Sequence, residues 1–368
     1  MKFVCMRDAI KKELNLVQKV TTKNSVTTFS HVLLEAKNDS LILKATDSRM
    51  RVVSEMPVQV LQPGSIAINA DKLLAIVNTL PNEEIEFLVE DDKMNISPIN
   101  NRGVLLSLRL QSTDGFPSYN SPESTQVFRL PQKTFLRMIS HTIFAVSDDE
   151  TRIFMTGVFL RKLDDKLVMV ATDGRRLSTI HHSIQEGIIP DFGGVIISPI
   201  FLKLIKDSCC GEGEIALAIV DKTIYAEFDN IKFSCALIEG QFPNYERVIP
   251  ETQIHQLDFD KNEFINALRR VAIFSHDKLQ RVFLQFSDGF VTLSAEENQV
   301  GQASEKIPCD YSSDDLLMAL NHTYVSEVLK MMSGDRFSFR FTDHNKAISL
   351  YPATEDDHLH VIMPMQLD

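Results

Sequence analysis

Catalytic signatures are the first thing missing from this 368-residue chain, which carries no GxxxxGK[ST] loop, no GxGxxG after an apolar strand and no GxSxG elbow. Nucleotide hydrolysis and acyl transfer therefore lack their usual apparatus, and neither a catalytic residue nor a cofactor is expected. The five cysteines (Cys5, Cys209, Cys210, Cys235 and Cys309) are odd in number, scattered and without a CxxC pair. That usage excludes a disulfide framework and points to a reducing compartment, the cytoplasm. Long apolar runs are absent too: none approaches the ~18–20 residues a membrane helix needs, and Met1-Lys2-Phe3-Val4 reads as a strand opening rather than a signal peptide. No membrane partner is expected. His181-His182 and the Cys209-Cys210 pair have no HxxxH or CxxC spacing, so no metal is expected. The acidic run Asp148-Asp149-Glu150 has no partner motif and reads as a solvated loop.

What the chain has is repetition. Leu41 to Met50 (LILKATDSRM), Leu167 to Ser178 (LVMVATDGRRLS) and Val291 to Gly301 (VTLSAEENQVG) each run an alternating apolar strand into a small-acidic turn. The two Thr-Asp pairs are 172 − 46 = 126 residues apart, and Ala295-Glu296 comes after another 295 − 172 = 123, about a third of the chain each time. Phe116-Pro117 and Phe242-Pro243 keep the same spacing, each after an acid-Gly pair. Three similar domains are the simplest account.

Helical patterns open each third at Lys11 to Thr22, Gln132 to Ser147 and Lys261 to His276. A second set, Asp71 to Leu80, Ser198 to Asp207 and Asn321 to Met332, falls in the middle of each. Pro199 after Ser198, Pro131, and Asp260 with Glu263 three residues later supply start signals. Between the helices the period changes to two, with turn formers at Asn38-Asp39-Ser40, Asp164-Asp165, Asp221-Lys222 and Asp288-Gly289 marking hairpins. Each third is thus an α+β unit whose two helices cover one face of antiparallel sheet. The polar, proline-containing stretches at Ser121-Pro122-Glu123-Ser124 and Pro250-Glu251-Thr252 put domains at 1–123, 124–250 and 251–368.

A net charge of −12 argues against a nucleic-acid partner until its distribution is considered. The six helical windows together carry about +8, which leaves the remainder at −12 − 8 = −20. Such segregation allows a mildly positive helical face to meet phosphates while an acidic exterior repels unrelated contacts. The same segregation arises if helices merely favour Lys and Arg, and charge alone does not separate the two.

Three segments separate them. Ala171-Thr172-Asp173-Gly174-Arg175-Arg176-Leu177, the run from Gly240 through Gln241-Phe242-Pro243-Asn244-Tyr245-Glu246-Arg247-Val248-Ile249 to Pro250, and the terminal Val361-Ile362-Met363-Pro364-Met365-Gln366-Leu367 closely resemble signature segments of the bacterial DNA polymerase III beta subunits, the replicative sliding clamps. The resemblance spans the chain and preserves length and domain count. It implies a non-catalytic processivity factor: a head-to-tail homodimer whose six domains close into a ring around double-stranded DNA, with helices lining the hole and sheets outside. The partners it implies are the DNA polymerase III alpha subunit, the clamp loader, and other polymerases and repair proteins carrying short clamp-binding peptides.

The resemblance also implies where those peptides dock. Met155, Thr172, Gly174, Arg175, Arg176 and Leu177 would form one wall, continued by Pro243, Arg247 and Val248. The third domain would add Leu279, Asn321, Tyr324, Asn345 and Ala347, and the terminus Met363, Pro364, Met365 and Leu367. Apolar and thioether side chains make an adaptable cleft, and arginines at its edge can bond peptide carbonyls or carboxylates. DNA contacts are expected at Lys23, Arg152 and Phe154, with Lys12, Lys19, Arg137, Lys203 and Arg269 as further lining residues by helix position. The subunit interface would set Lys72, Leu106 and Leu108 against Ile273 and Phe274. The chain departs from the family at Gln366, where Arg is common, at Leu279 in place of an aromatic, and at Asp368 beyond the usual final Leu. Two other readings stand beside this one: a protein-interaction scaffold of the same fold without DNA, and a hydrolase using Asp47 and Asp173.

Overall fold

The computed structural model describes residues 1–22, 28–101, 103–117, 119, 122–184, 189–275, 278–295 and 301–367. Along the first third run β1 (Lys2–Met6), α1 (Arg7–Gln18), β2 (His31–Lys37), β3 (Ser40–Thr46), β4 (Met50–Pro57), β5 (Gln59–Gln62), β6 (Gly64–Asn69), α2 (Ala70–Thr79), β7 (Glu84–Glu90), β8 (Lys93–Pro98) and β9 (Leu106–Arg109). The second contributes β10 (Val127–Pro131), α3 (Gln132–Thr142), β11 (Val158–Leu163), β12 (Lys166–Thr172), β13 (Arg176–Ser183), β14 (Gly194–Ile197), α4 (Pro199–Ser208), β15 (Glu214–Val220), β16 (Thr223–Phe228) and β17 (Ile231–Ala236). The third contributes β18 (His255–Asp260), α5 (Lys261–Ala272), β19 (Arg281–Ser287), β20 (Phe290–Ser294), β21 (Ser304–Pro308), β22 (Leu316–Asn321), α6 (His322–Met331), β23 (Arg336–Phe341), β24 (Ile348–Pro352) and β25 (His358–Ile362). Apart from the short β5, the order strand, helix, four strands, helix, three strands occurs three times.

Local chemistry explains the element ends. Asn69, Asp260 and Asn321 cap α2, α5 and α6, their side-chain oxygens accepting from the N–H groups of Lys72, Glu263, and Thr323 with Tyr324. The helix patterned over Gln132 to Ser147 stops at Thr142, which leaves helical geometry at φ −122° while its Oγ1 donates back to the Met138 carbonyl at 2.9 Å. Tight hairpins put positive φ at Asn38, Asp39, Asp164, Asp221 and Lys222, at the turns read from the sequence.

Compactness divides the chain in a way the sequence repeats do not. One unit comprises residues 1–132 and 203–237, the other 133–202 and 238–368, so the middle third contributes to both. In the first unit, eight strands run in the order β10-β15-β16-β17-β4-β3-β2-β6, joining second-third to first-third strands where β17 pairs with β4. A five-stranded sheet, β5-β1-β7-β8-β9, completes it, with Phe3 and Phe87 stacked at 4.7 Å. In the second unit the eight-stranded order is β14-β11-β12-β13-β25-β24-β23-β18, the crossing between thirds being β13 against β25, and the smaller sheet is β21-β20-β19-β22. Phe259, Phe264, Phe286, Phe337, Phe339 and Phe341 fill its C-terminal core. All strand pairs are antiparallel, so the α+β class holds.

Burial sorts the cysteines. Desolvation pushes the thiols of Cys5 and Cys235 up to about 12, whereas Cys210 is exposed. Because the thiolate is the nucleophile, iodoacetamide at pH 8 is expected to alkylate Cys210 in the native protein and to reach Cys5 and Cys235 only after denaturation. Peptide mass spectrometry of the native and unfolded protein checks this.

Candidate functional site

The turn between β12 and β13 positions most of one wall of a cleft. Asp173 Oδ1 accepts the backbone N–H groups of Arg175 and Arg176 at 2.8 and 3.0 Å, and Thr172 Oγ1 donates to the Arg176 carbonyl at 2.6 Å. The first third repeats the device: Asp47 Oδ1 accepts from Arg49 and Met50, and Thr46 Oγ1 donates to the Met50 carbonyl. Both carboxylates are thus occupied as turn formers, which overturns the hydrolase reading; neither is free to act as an acid or base. Gly174 sits at φ +88°, and a Cβ there would lie 3.1 Å from Arg152 Nη1 and 3.5 Å from Met155 Cε. The turn can pass so close to the cleft wall only with glycine.

Arg176 is held on every side. Its Nε donates to Asp173 Oδ2 at 3.0 Å, Nη1 pairs with Glu327, and Nη2 donates to the Phe144 carbonyl at 2.5 Å. The guanidinium lies 4.3 Å over the Tyr324 ring and 5.5 Å from that of Phe144, leaving the side chain 10% exposed. Next along β13, Leu177 stands opposite Val361 of β25, both buried. Beyond β25 the chain stays fastened: Met363 N–H donates to the Arg175 carbonyl and Met365 N–H to Ala319, each at 2.8 Å.

Together these elements form a cleft of about 140 Å³, open to solvent, lined by Met155, Thr172, Gly174, Arg175, Arg176, Leu177, Pro243, Asn244, Tyr245, Val248, Val361 and Met363. Its floor rests on Phe159 and Phe242, stacked at 4.7 Å, with Tyr245 edge-on to both. Val248 and Met363 form an exposed apolar lip, 50% and 42% accessible. Arg152, Arg175 and Arg247 are exposed, although Arg152 already pairs with Asp149 at 2.9 Å. The cleft is apolar inside and basic at its margin, suited to an extended peptide with apolar anchors and a carboxylate.

Nine of the residues expected at a peptide site line this cleft. Arg247 is exposed on the same short helical turn as Val248, and Ala347 packs against the cluster beneath the cleft. Tyr324 reaches it only through Arg176, Asn321 is spent as a helix cap, and Pro364, Met365 and Leu367 continue the terminal segment outside the lining. Leu279 and Asn345 are exposed and not part of the lining. Asn244, Tyr245 and Val361 also line the cleft and were not among the residues expected there, although all three lie inside the motifs that carry the resemblance.

Of the DNA-contact expectations, Lys23 lies outside the described residues, and Phe154 is half-buried against the cluster beneath the cleft. Lys12, Lys203 and Arg269 are exposed, Lys19 pairs with Asp207 at 2.9 Å, and Arg137 is engaged by Glu355 and Asp357. The interface expectations fall on exposed or edge positions. Lys72 is exposed on α2, Leu106 and Leu108 lie on the edge strand β9, Ile273 is 75% exposed after α5, and Phe274 is half-buried.

The reverse face of β13 and β25 meets the end of α3 and carries buried polar groups between Ile180 and Ile362. His141, His358 and His360 are buried there with Ser178. Desolvation pulls the His141 imidazole down to about 3 and lowers His358 and His360 as well, so all three rings are neutral at neutral pH. Burial alone raises Asp357, yet its bonds to Arg137 and His358 outweigh this and hold the carboxyl at about 2.

Three repeated α+β domains and an apolar cleft with a basic margin define a peptide-binding class of protein. The comparisons say which kind. The chain matches the family models of the DNA polymerase III beta subunit for the N-terminal domain over residues 1–120, the central domain over 129–244 and the C-terminal domain over 246–366. The beta sliding clamp of Treponema pallidum is 36% identical over the full length of both chains, and that of Pseudomonas aeruginosa 28% over the full length of both. The crystal structure of the DNA polymerase III subunit beta from Pseudomonas aeruginosa superposes with a TM-score of 0.92 at 27% identity over the whole of both chains; another from that organism, bound to griselimycin, gives 0.92 at 28%. The chain belongs to the DNA polymerase III beta subunit family, the sliding clamps of bacterial DNA replication. It is a processivity factor and not an enzyme.

Proposed function

We propose that two copies of this chain close head to tail into a ring of six domains, bounded near residues 123 and 250, that encircles duplex DNA in the cytoplasm. Short peptides of the replicative polymerase alpha subunit, the clamp loader and other polymerases and repair proteins dock in the cleft walled by Leu177, Val361 and Met363. The apolar cleft with Arg175 and Arg247 at its margin is the observation that carries this reading. Retention on DNA is topological, so the contacts to phosphate stay weak and sequence-independent, made by exposed lysines and arginines such as Lys12, Lys203 and Arg269. Such contacts let a net charge of −12 coexist with DNA binding. The Gln366 departure lies in the tail beyond Met363 of the cleft, where it bears on which peptides are preferred; Asp368 lies outside the described residues.

The closing edges fit a second copy. β9 pairs only with β8 and β21 only with β20, each leaving one open edge in its sheet among the described residues. Adding the partner's β21 to β9 removes both edges at once.

Two measurements test the proposal. Protein loaded on nicked circular DNA is expected to dissociate when the circle is cut, which a scaffold that does not encircle DNA fails to show. For the cleft, Val248→Asp and Met363→Ala are expected to weaken a polymerase-derived peptide in calorimetry, the alanine by about 5- to 30-fold from ~1–2 kcal/mol of lost apolar contact. Val248→Asp sets an unpaired carboxylate in the lip and weakens it further. Unchanged affinity in both variants refutes the docking site.

A further inference from the structure

Behind the cleft, three histidines from distant parts of the chain converge without satisfying one another. His141 comes from the end of α3 and His358 and His360 from β25, their rings 4.2 to 6.0 Å apart between centroids. His141 Nδ1, His358 Nε2 and His360 Nε2 are buried and have no hydrogen-bond partner, while one ligand nitrogen from each ring lies within 4.8 Å of the others.

The surrounding hydrogen bonds decide where two of the protons are. Asp357 is a carboxylate and only accepts, and its Oδ1 lies 2.8 Å from His358 Nδ1, well inside the 3.4 Å approach of Arg137 Nη2 to the same nitrogen; the shorter contact puts the proton on Nδ1 and the lone pair on Nε2. Ser178 Oγ donates its single proton to the His141 carbonyl. It must therefore accept from His360 Nδ1 at 2.7 Å, which leaves the His360 Nε2 lone pair facing inward as well. Two buried acceptors are thus left on neighbouring rings, and His141 Nδ1 beside them can carry at most one proton. A buried acceptor without a donor costs about 1–3 kcal/mol, a cost that a cation or a doubly donating group between the rings would relieve.

We infer that His141, His358 and His360 form a buried three-histidine site for a divalent transition metal of the Zn(II) class. An all-imidazole set suits that class over Mg(II) or Ca(II), which require oxygen ligands. The carboxylate behind His358 and the hydroxyl behind His360 are the outer partners that orient ligating imidazoles and fix their tautomer. Zn–N bonds of about 2.0–2.1 Å in a tetrahedron separate nitrogens by about 3.4 Å, so small ring rotations bring the three into range. At the mouth, Glu355 and Asp357 against Arg137 leave a net charge of −1 to attract a cation. None of the three histidines lines the cleft, and the site acts as a clasp. It ties α3 to β25 on the face opposite Val361, and Ser178 and His360 are a register pair directly beside the pair Leu177 and Val361.

The test uses the full-length protein, whether or not the cleft proves to bind peptides. After stripping with chelator, dialysis against Zn(II) is expected to return one metal per chain by elemental analysis, and Zn(II) to raise the melting temperature. Co(II) in its place is expected to give the intense visible bands of a tetrahedral site. His141→Gln with His360→Gln is expected to abolish all three, whereas His344→Gln, at an exposed loop, leaves them unchanged. Circular dichroism establishes that the double variant is folded. Ser178→Ala keeps every ligand while it unfixes the His360 tautomer and frees the His141 carbonyl; it is expected to weaken Zn(II) about 10- to 100-fold. No metal uptake, uptake that survives the double variant, or a buried water filling the space in a high-resolution crystal structure grown with Zn(II) overturns the site.

Discussion

Arg176→Ala is expected to destabilise the second compact unit by about 2–3 kcal/mol and to lower its melting temperature by roughly 5–10 °C, the conversion being ~2–4 °C per kcal/mol for domains of this size. The substitution leaves Glu327 and the Phe144 carbonyl without their donor, strips the Tyr324 ring of its cation, and removes one of the bonds fixing the Thr172–Arg176 turn. Losing one partner of a buried pair can cost as much as ~3–5 kcal/mol, but Glu327 is 38% exposed and water takes over part of its solvation. Peptide affinity is expected to fall at least about tenfold, because the turn carries Gly174 and Arg175 into the cleft and holds Met363 through the Arg175 carbonyl. Arg176→Lys keeps the charge but cannot reach three acceptors from one planar fork, so it is expected to rescue little of either effect. Calorimetric melting together with peptide titration decides: full affinity in a folded Arg176→Ala protein sinks the claim that this arginine organises the cleft.

Arg176 also shows how much the sequence discloses. Its membership of a Thr-Asp-Gly-Arg-Arg turn is local, and locality is why the turn, the Asp260 cap of α5, and the hairpins at Asn38-Asp39 and Asp164 are all legible: one residue chooses the conformation of its neighbours. Its partners Glu327, Phe144 and Tyr324 are not local. Nothing in the chain's order says that residue 327 meets residue 176. The same reason hides the joining of the thirds, since β17 meets β4 and β13 meets β25 by edge pairing over more than a hundred residues. It hides the histidine cluster too, apart from one hint: His358-Leu359-His360 puts two imidazoles on one face of a strand. Arg137 illustrates the converse error. Its helix position suggested a phosphate contact, but two carboxylates from the far end of the chain had already claimed it.

Ring closure makes the other large prediction. Ile273→Asp is expected to convert the dimer into monomers of 41.7 kDa in analytical ultracentrifugation. Ile273 stands 75% exposed at the end of α5 and contributes nothing to its own core, so the substitution tests the interface without testing folding. Phe274 is the poorer probe, being half-buried against the C-terminal core, where truncation lowers stability for reasons unrelated to association. Burying an isoleucine is worth about 1.5–3 kcal/mol, and an unpaired buried carboxylate costs more than that gain. A head-to-tail ring of two copies makes the same contact twice, so each penalty counts double and the dissociation constant is expected to rise by more than about 10⁴-fold. Retention on circular DNA should vanish with the dimer while peptide affinity is kept, because no cleft residue is touched. A dimer that survives Ile273→Asp places the interface elsewhere, and the open edges of β9 and β21 then need another partner.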